Sequence, residues 1–169
     1  MHTVEQINCF KKDTFLQAFG DVAEHSPWVA ERAFAALPYR NRDAVISAFE
    51  AAMQFASRDE QIALIRAHPD LAGKAARAGV VAEDSKKEQA GAGLDTLTDA
   101  EYARFTDLND RYREKFGFPF IFAVKGATKH MILAAFEDRI EHTPDAEFAM
   151  ALSQISRIFR FRLEERIAS

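Results

Sequence analysis

Cysteine is almost missing from this sequence: Cys9 stands alone among 169 residues. One thiol can close no internal disulfide and build no thiolate zinc cluster, and it suits a reducing compartment. Basic charge is not concentrated anywhere. The net charge is −4, and Lys11-Lys12 and Lys86-Lys87 are pairs rather than arms, so a nucleic-acid partner is excluded for want of a basic face. No long hydrophobic run is present. The longest apolar stretch, residues 116–124, is far too short to span a bilayer. The opening MHTVEQINCF has no basic segment leading into an apolar one, and the closing Ile167-Ala168-Ser169 is no peroxisomal address. A soluble cytoplasmic protein with no membrane partner is the expectation by elimination. HExxH, P-loop and Gly-x-Ser-x-Gly patterns are all absent. His130 and His142 have no obvious third ligand, and His2 and His25 have no identifiable partner, so no metal site is expected.

What the chain has is apolar mass. Nearly half of it, 48%, is hydrophobic, and fifteen phenylalanines stand against one tryptophan and three tyrosines. That is enough to fill a core in a single domain of this length without disulfides. The pattern is helical from end to end. Thr3-Val4-Glu5-Gln6 has capping-box spacing, and Gly20 ends a second segment. Ser26-Pro27 predicts a cap with proline in the first turn and a helix stopping near Pro38. A longer helix is expected over about residues 41–56, with Val45, Phe49, Ala52, Met53 and Phe55 apolar. Ser57-Arg58-Asp59-Glu60 opens another, which must end around His68 because Pro69 disfavours helical geometry before it. A short helix over residues 70–78 closes at Gly79. Thr98 opens a further helix that Gly117 ends, and Thr143-Pro144 starts the last, about residues 144–167. Residues 80–97, rich in glycine and alanine, and residues 117–126, GFPFIFAVKG, fit neither period. The expected fold class is all-α: a single helical-bundle-like domain, residues 1–169, with two irregular segments that look functional.

Four features could carry chemistry. His68 lies on the inward side of its helix, at the helix end. It is either a packed core histidine or an acid–base group whose edge Pro69 exposes at a loop. Glu88, in Ser85-Lys86-Lys87-Glu88-Gln89, is either the far end of a capping box or part of a site. The glycines of Ala90-Gly91-Ala92-Gly93 favour the second reading if another element or a ligand must approach closely. Arg162 continues the apolar stripe Phe148, Leu152, Ile155, Phe159 of the last helix. A cation aimed at a core needs an anionic partner, either an internal carboxylate or a substrate carboxylate gripped bidentately. Residues 116–124 are either a plug of the core or a buried non-helical backbone whose N–H and C=O groups a polar ring ligand could satisfy.

His68-Pro69-Asp70-Leu71-Ala72-Gly73-Lys74, Ser85-x-x-Glu88-Gln89 running into Gly91-Ala92-Gly93-Leu94, Gly117-Phe118-Pro119-Phe120-Ile121-Phe122-Ala123-Val124 and the terminal Arg162-Leu163, in that order, resemble the OHCU decarboxylase family. OHCU is 2-oxo-4-hydroxy-4-carboxy-5-ureidoimidazoline, the last intermediate of urate breakdown. The absence of a peroxisomal tail is unlike animal and plant members and fits a bacterial one. The resemblance implies an all-helical homodimer that needs no cofactor and yields (S)-allantoin. It implies His68 as the acid–base group, Glu88 as its carboxylate partner and Arg162 as the anion binder. Substrate contacts are implied for Pro69, for Ser85, Lys86, Lys87, Glu88 and Gln89, and for the backbone of Phe120, Ile121, Phe122, Ala123 and Val124. Two other readings stay beside it. A non-catalytic helical interaction domain leaves the arginine on the core stripe unexplained, and a metal-dependent hydrolase using His68 and Asp70 lacks a further ligand.

Overall fold

The computed structural model describes residues 1–169, which form ten α-helices and no sheet; the sole β-type pairing is an isolated bridge between His2 and Ile167. The chain falls into two compact units, one of Met1–Ala67 with Ser156–Ser169, the other of His68–Ile155.

In the first unit, α1 (Val4–Asn8) starts at the predicted capping box, with Thr3 and Gln6 each accepting from the other's backbone N–H. α2 (Lys12–Phe19) stops at Gly20, and α4 (Arg42–Gln54) is capped by Asn41, whose Oδ1 accepts from Ala44 N at 2.9 Å. α5 (Arg58–Ala67) opens on the reciprocal Ser57–Glu60 box and ends one residue before His68. These caps satisfy amide groups that the first helical turn would otherwise leave without acceptors. α3 differs from expectation. It runs Trp28–Phe34 and stops well short of Pro38, and Ser26 does not cap it: its hydroxyl donates to Glu24 O at 2.8 Å instead. Phe15, Phe19, Phe49 and Phe159 are fully buried and in ring contact, Phe15–Phe19 at 5.0 Å and Phe49–Phe159 at 6.2 Å. Each such ring contributes about 1.5–3 kcal/mol by leaving water.

In the second unit, α6 (Lys74–Arg77) is a single turn closed by Gly79 at φ +74°, and α8 (Asp99–Phe116) runs from the Thr98–Glu101 capping box to a left-handed Gly117 at φ +76°. Residues 117–126 are irregular, as expected. Residues 80–97 are not: α7 (Glu83–Gly91) occupies their middle. α9 (Lys129–Arg139), capped by Thr128, is a helix that no single apolar stripe announced. The core here is Phe105, Leu108, Tyr112, Phe120 and Phe136, with Phe120 and Phe136 stacked at 3.9 Å. α10 (Pro144–Arg166) begins in this unit and ends in the first, and Phe148, Leu152, Ile155, Phe159 and Arg162 of its stripe are all buried.

Candidate active site

His68 follows directly on α5 and is buried, 7% exposed, its Nε2 sealed from solvent. The loop behind it is held by one peptide. Asn109 Nδ2, from α8, donates to Leu71 O at 2.9 Å, and the N–H of the same peptide, from Ala72, donates to Gln89 Oε1 on α7 at 2.9 Å. Two side-chain amides thus clamp opposite edges of the Leu71–Ala72 peptide. The clamp holds Ala72 at φ +53°, a left-handed conformation that costs a non-glycine residue about 1 kcal/mol or more. Gly73 is required next, because a Cβ there would sit 2.8 Å from the Cβ of Asp70. Asp70 itself accepts from Arg113 at 2.6 Å. The metal-hydrolase reading would need that carboxylate as a ligand, and no group of three or more His, Cys, Asp or Glu side chains is placed to hold a metal ion.

α7 places the second group. Ser85 and Gln89, one turn apart, are both buried, Glu88 is half-buried, and Lys86 and Lys87 are exposed. Ser85 is the third residue of the helix and Ala82 is its N-cap, so Ser85 and Glu88 form no capping box and Glu88 does not hold a helix start. The helix begins earlier because Glu83 and Asp84 supply acidic groups to its first turn, where the helix dipole favours them. The close-approach reading of the glycines also fails on the protein side. A Cβ at Gly91 or Gly93 would meet nothing within 4 Å, and Gly93 is needed for its φ of +79° alone. Gln89 joins this helix to the loop after His68, so the structure brings those two sequence motifs together through Ala72.

The third motif is buried backbone. Of residues 120–124, only Phe122 is half-buried and the other four are buried. Two of the polar groups that a ligand might have satisfied are taken by side chains: Arg139 Nη1 donates to Ile121 O at 2.6 Å, and Ala123 N donates to Gln154 Oε1 at 3.0 Å. Arg139 belongs to a network that no sequence motif announced. Its Nε donates to Glu147 Oε1 at 2.9 Å, Tyr112 OH donates to the same oxygen at 2.5 Å, and His142 Nδ1 lies 2.9 Å from Glu147 Oε2. Glu147 is fully buried. Burial first, and the hydrogen bond to Glu147 second, push the Tyr112 phenol above its usual range, so it stays a donor. The signal available in sequence was weak: an arginine in the last turn of an unannounced helix and a glutamate just after a Thr-Pro start.

Arg162 lies in the first unit and is 3% exposed. Its stripe position meets an internal carboxylate, because its Nη1 donates to Glu24 Oε2 and to Val22 O, both at 3.0 Å; an internal pair at Nη1 does not by itself decide whether Arg162 also serves a substrate. Glu24, 1% exposed, is the buried carboxylate that the stripe required.

A sheet-free, all-helical protein with a clamped His-Pro loop joined to a Ser/Gln face of a short helix is the class these features define. Residues 8–164 match the OHCU decarboxylase family. The chain is 44% identical, over 99% of its own length and 97% of the relative's, to the 2-oxo-4-hydroxy-4-carboxy-5-ureidoimidazoline decarboxylase of Haloferax volcanii. It is 39% identical to the uric acid degradation bifunctional protein of Bacillus subtilis, covering 99% of this chain and 33% of that longer one. Among solved structures, an (S)-allantoin synthase superposes with a TM-score of 0.82 at 34% identity, over 100% of this chain and 55% of that one. The chain belongs to the OHCU decarboxylase family.

Proposed function

We propose that this protein is a carboxy-lyase that decarboxylates OHCU to (S)-allantoin in urate breakdown, acting as one functional domain without a cofactor. The observation that carries the reading is the end-to-end match to a decarboxylase of that substrate, with every motif of the resemblance inside the matched residues. No helix is long and apolar enough to cross a membrane. A cytoplasmic homodimer belongs to the same reading.

The chemistry follows from the substrate. OHCU carries a carboxylate and a hydroxyl on one ring carbon. When the C–C bond to the carboxylate breaks, its electron pair enters the adjacent unsaturated ring system, carbon dioxide leaves, and a proton returns to the ring. Because the ring accepts the electrons, no external electron sink is required. In this reading His68 takes the hydroxyl proton and assists reprotonation, with Glu88 orienting the imidazole, a contribution of about 10²–10⁴-fold. Arg162 binds the carboxylate through charge-assisted hydrogen bonds of roughly 1.5–3 kcal/mol each. Pro69, the Ser85–Gln89 turn of α7 and the backbone of residues 120–124 enclose the ring, and protonation from one face sets the (S) configuration. The test adds the protein to freshly generated urate-oxidation products and follows (S)-allantoin by circular dichroism. Accelerated appearance of the (S) enantiomer is expected; a rate equal to the spontaneous one overturns the proposal.

A further inference from the structure

Arg139 and Glu147 form a buried ion pair, 6% and 0% exposed, with Nη2 of the arginine 2.9 Å from Glu147 Oε1. Such pairs are often replaceable by apolar residues with no loss of stability, so pairing alone is a weak reason for a charge to sit there. What Arg139 does besides pairing concerns the backbone of residues 120–124. Its Nη1 holds Ile121 O at 2.6 Å and its guanidinium lies 4.3 Å over the ring of Phe120. From α10, Gln154 Oε1 holds the N–H of Ala123 at 3.0 Å. The rings of Phe120 and Phe122 lie nearly parallel with centroids 6.1 Å apart, the same-face placement of i and i+2 that an extended chain produces. Along an extended chain, alternate residues turn their amide and carbonyl to opposite edges. Both anchors therefore grip the edge of Ile121 and Ala123 and leave the peptide groups of Phe122 on the other.

We infer that Arg139 and Gln154 are positioning residues. They fix one edge of residues 121–123 so that the N–H and C=O of Phe122, on the free edge, meet the amide-like groups of the substrate. This rests on the reading above that residues 120–124 touch OHCU. Two variants test it. Gln154→Met removes one anchor at similar volume and leaves no buried charge. Arg139→Met with Glu147→Gln removes the other together with both charges, while the amide oxygen introduced by the second change still accepts from Tyr112. The readouts are kcat and KM separately on freshly generated OHCU, and amide hydrogen exchange at residues 120–124. Each variant is expected to lower kcat/KM by roughly tenfold to a hundredfold, mainly through KM, and to speed exchange in that segment. If the double variant fails to fold, Gln154→Met decides. Folded variants with unchanged KM and kcat overturn the inference alone. A wild-type protein inert towards OHCU overturns the functional reading and the inference with it.

Discussion

Replacing Arg162 by methionine separates its two possible services, to the fold and to the substrate. In the folded protein its Nη1 meets Glu24 Oε2 and Val22 O, each at 3.0 Å, and both charged side chains are almost wholly buried. Arg162→Met strips a buried carboxylate of its guanidinium, which costs about 3–5 kcal/mol. At about 2–4 °C per kcal/mol for a chain of this size, the melting temperature should fall by roughly 6–20 °C. Adding Glu24→Leu removes the stranded charge. What remains is Val22 O without this donor, a cost of about 1–3 kcal/mol, set against apolar replacement of a buried ion pair, which is often neutral or stabilising by about 1–4 kcal/mol. The double variant should therefore melt close to the wild type. If Arg162 also binds the substrate carboxylate, the refolded stability returns without the activity: kcat/KM stays down by at least about a hundredfold, near 3 kcal/mol of transition-state binding. Thermal melts of the wild type, both single variants and the double variant, with steady-state kinetics on the double, supply every number needed. An unchanged melting temperature for Arg162→Met refutes the buried-pair reasoning. A stable double variant with full kcat/KM refutes the substrate role and leaves Arg162 a purely structural residue.

Three further outcomes follow from the site. His68→Asn should keep the far-UV spectrum and melting behaviour of the wild type while kcat falls by at least about a hundredfold; retention of a tenth of the rate would contradict an acid–base role. Asn109→Leu removes the donor to Leu71 O, a cost of about 1–3 kcal/mol, partly offset because Asn109 Oδ1 is buried without a hydrogen-bond partner. It should lower kcat more than stability by loosening the loop after His68, and wild-type kcat in a folded variant would show that the clamp is irrelevant to turnover. Exhaustive treatment with a chelator should leave activity intact; loss restored by added metal would overturn the cofactor-free mechanism.

Much of the fold was legible in sequence because it rests on contacts within one helical turn. The boxes at Thr3, Ser57 and Thr98 and the left-handed stop at Gly117 each involve residues three or four apart, so chain proximity alone brings the partners together. Where two local signals competed, the sequence misled. Ser85 and Glu88 have the spacing of a cap, yet the helix starts earlier, at Glu83, because the acidic first turn is also favourable and burying Ser85 and Gln89 on one face settles the choice. α9 escaped notice because Ile132, Phe136 and Arg139 bury one narrow side of a helix whose remaining residues carry no period.

The all-helical class, most helix ends, the inward aim of Arg162 and the motifs of the family are written in local residue order. The partners come from packing between distant segments. Glu24 lies 138 residues before Arg162, and Asn109 lies 38 residues after Leu71. Ile121 and Ala123 find their anchors on two different helices. Periodicity states which side of a helix a charge must face. The identity of the group that meets it depends on which distant segments the packed core brings within 3 Å, and the free energy of that choice is spread over the whole core.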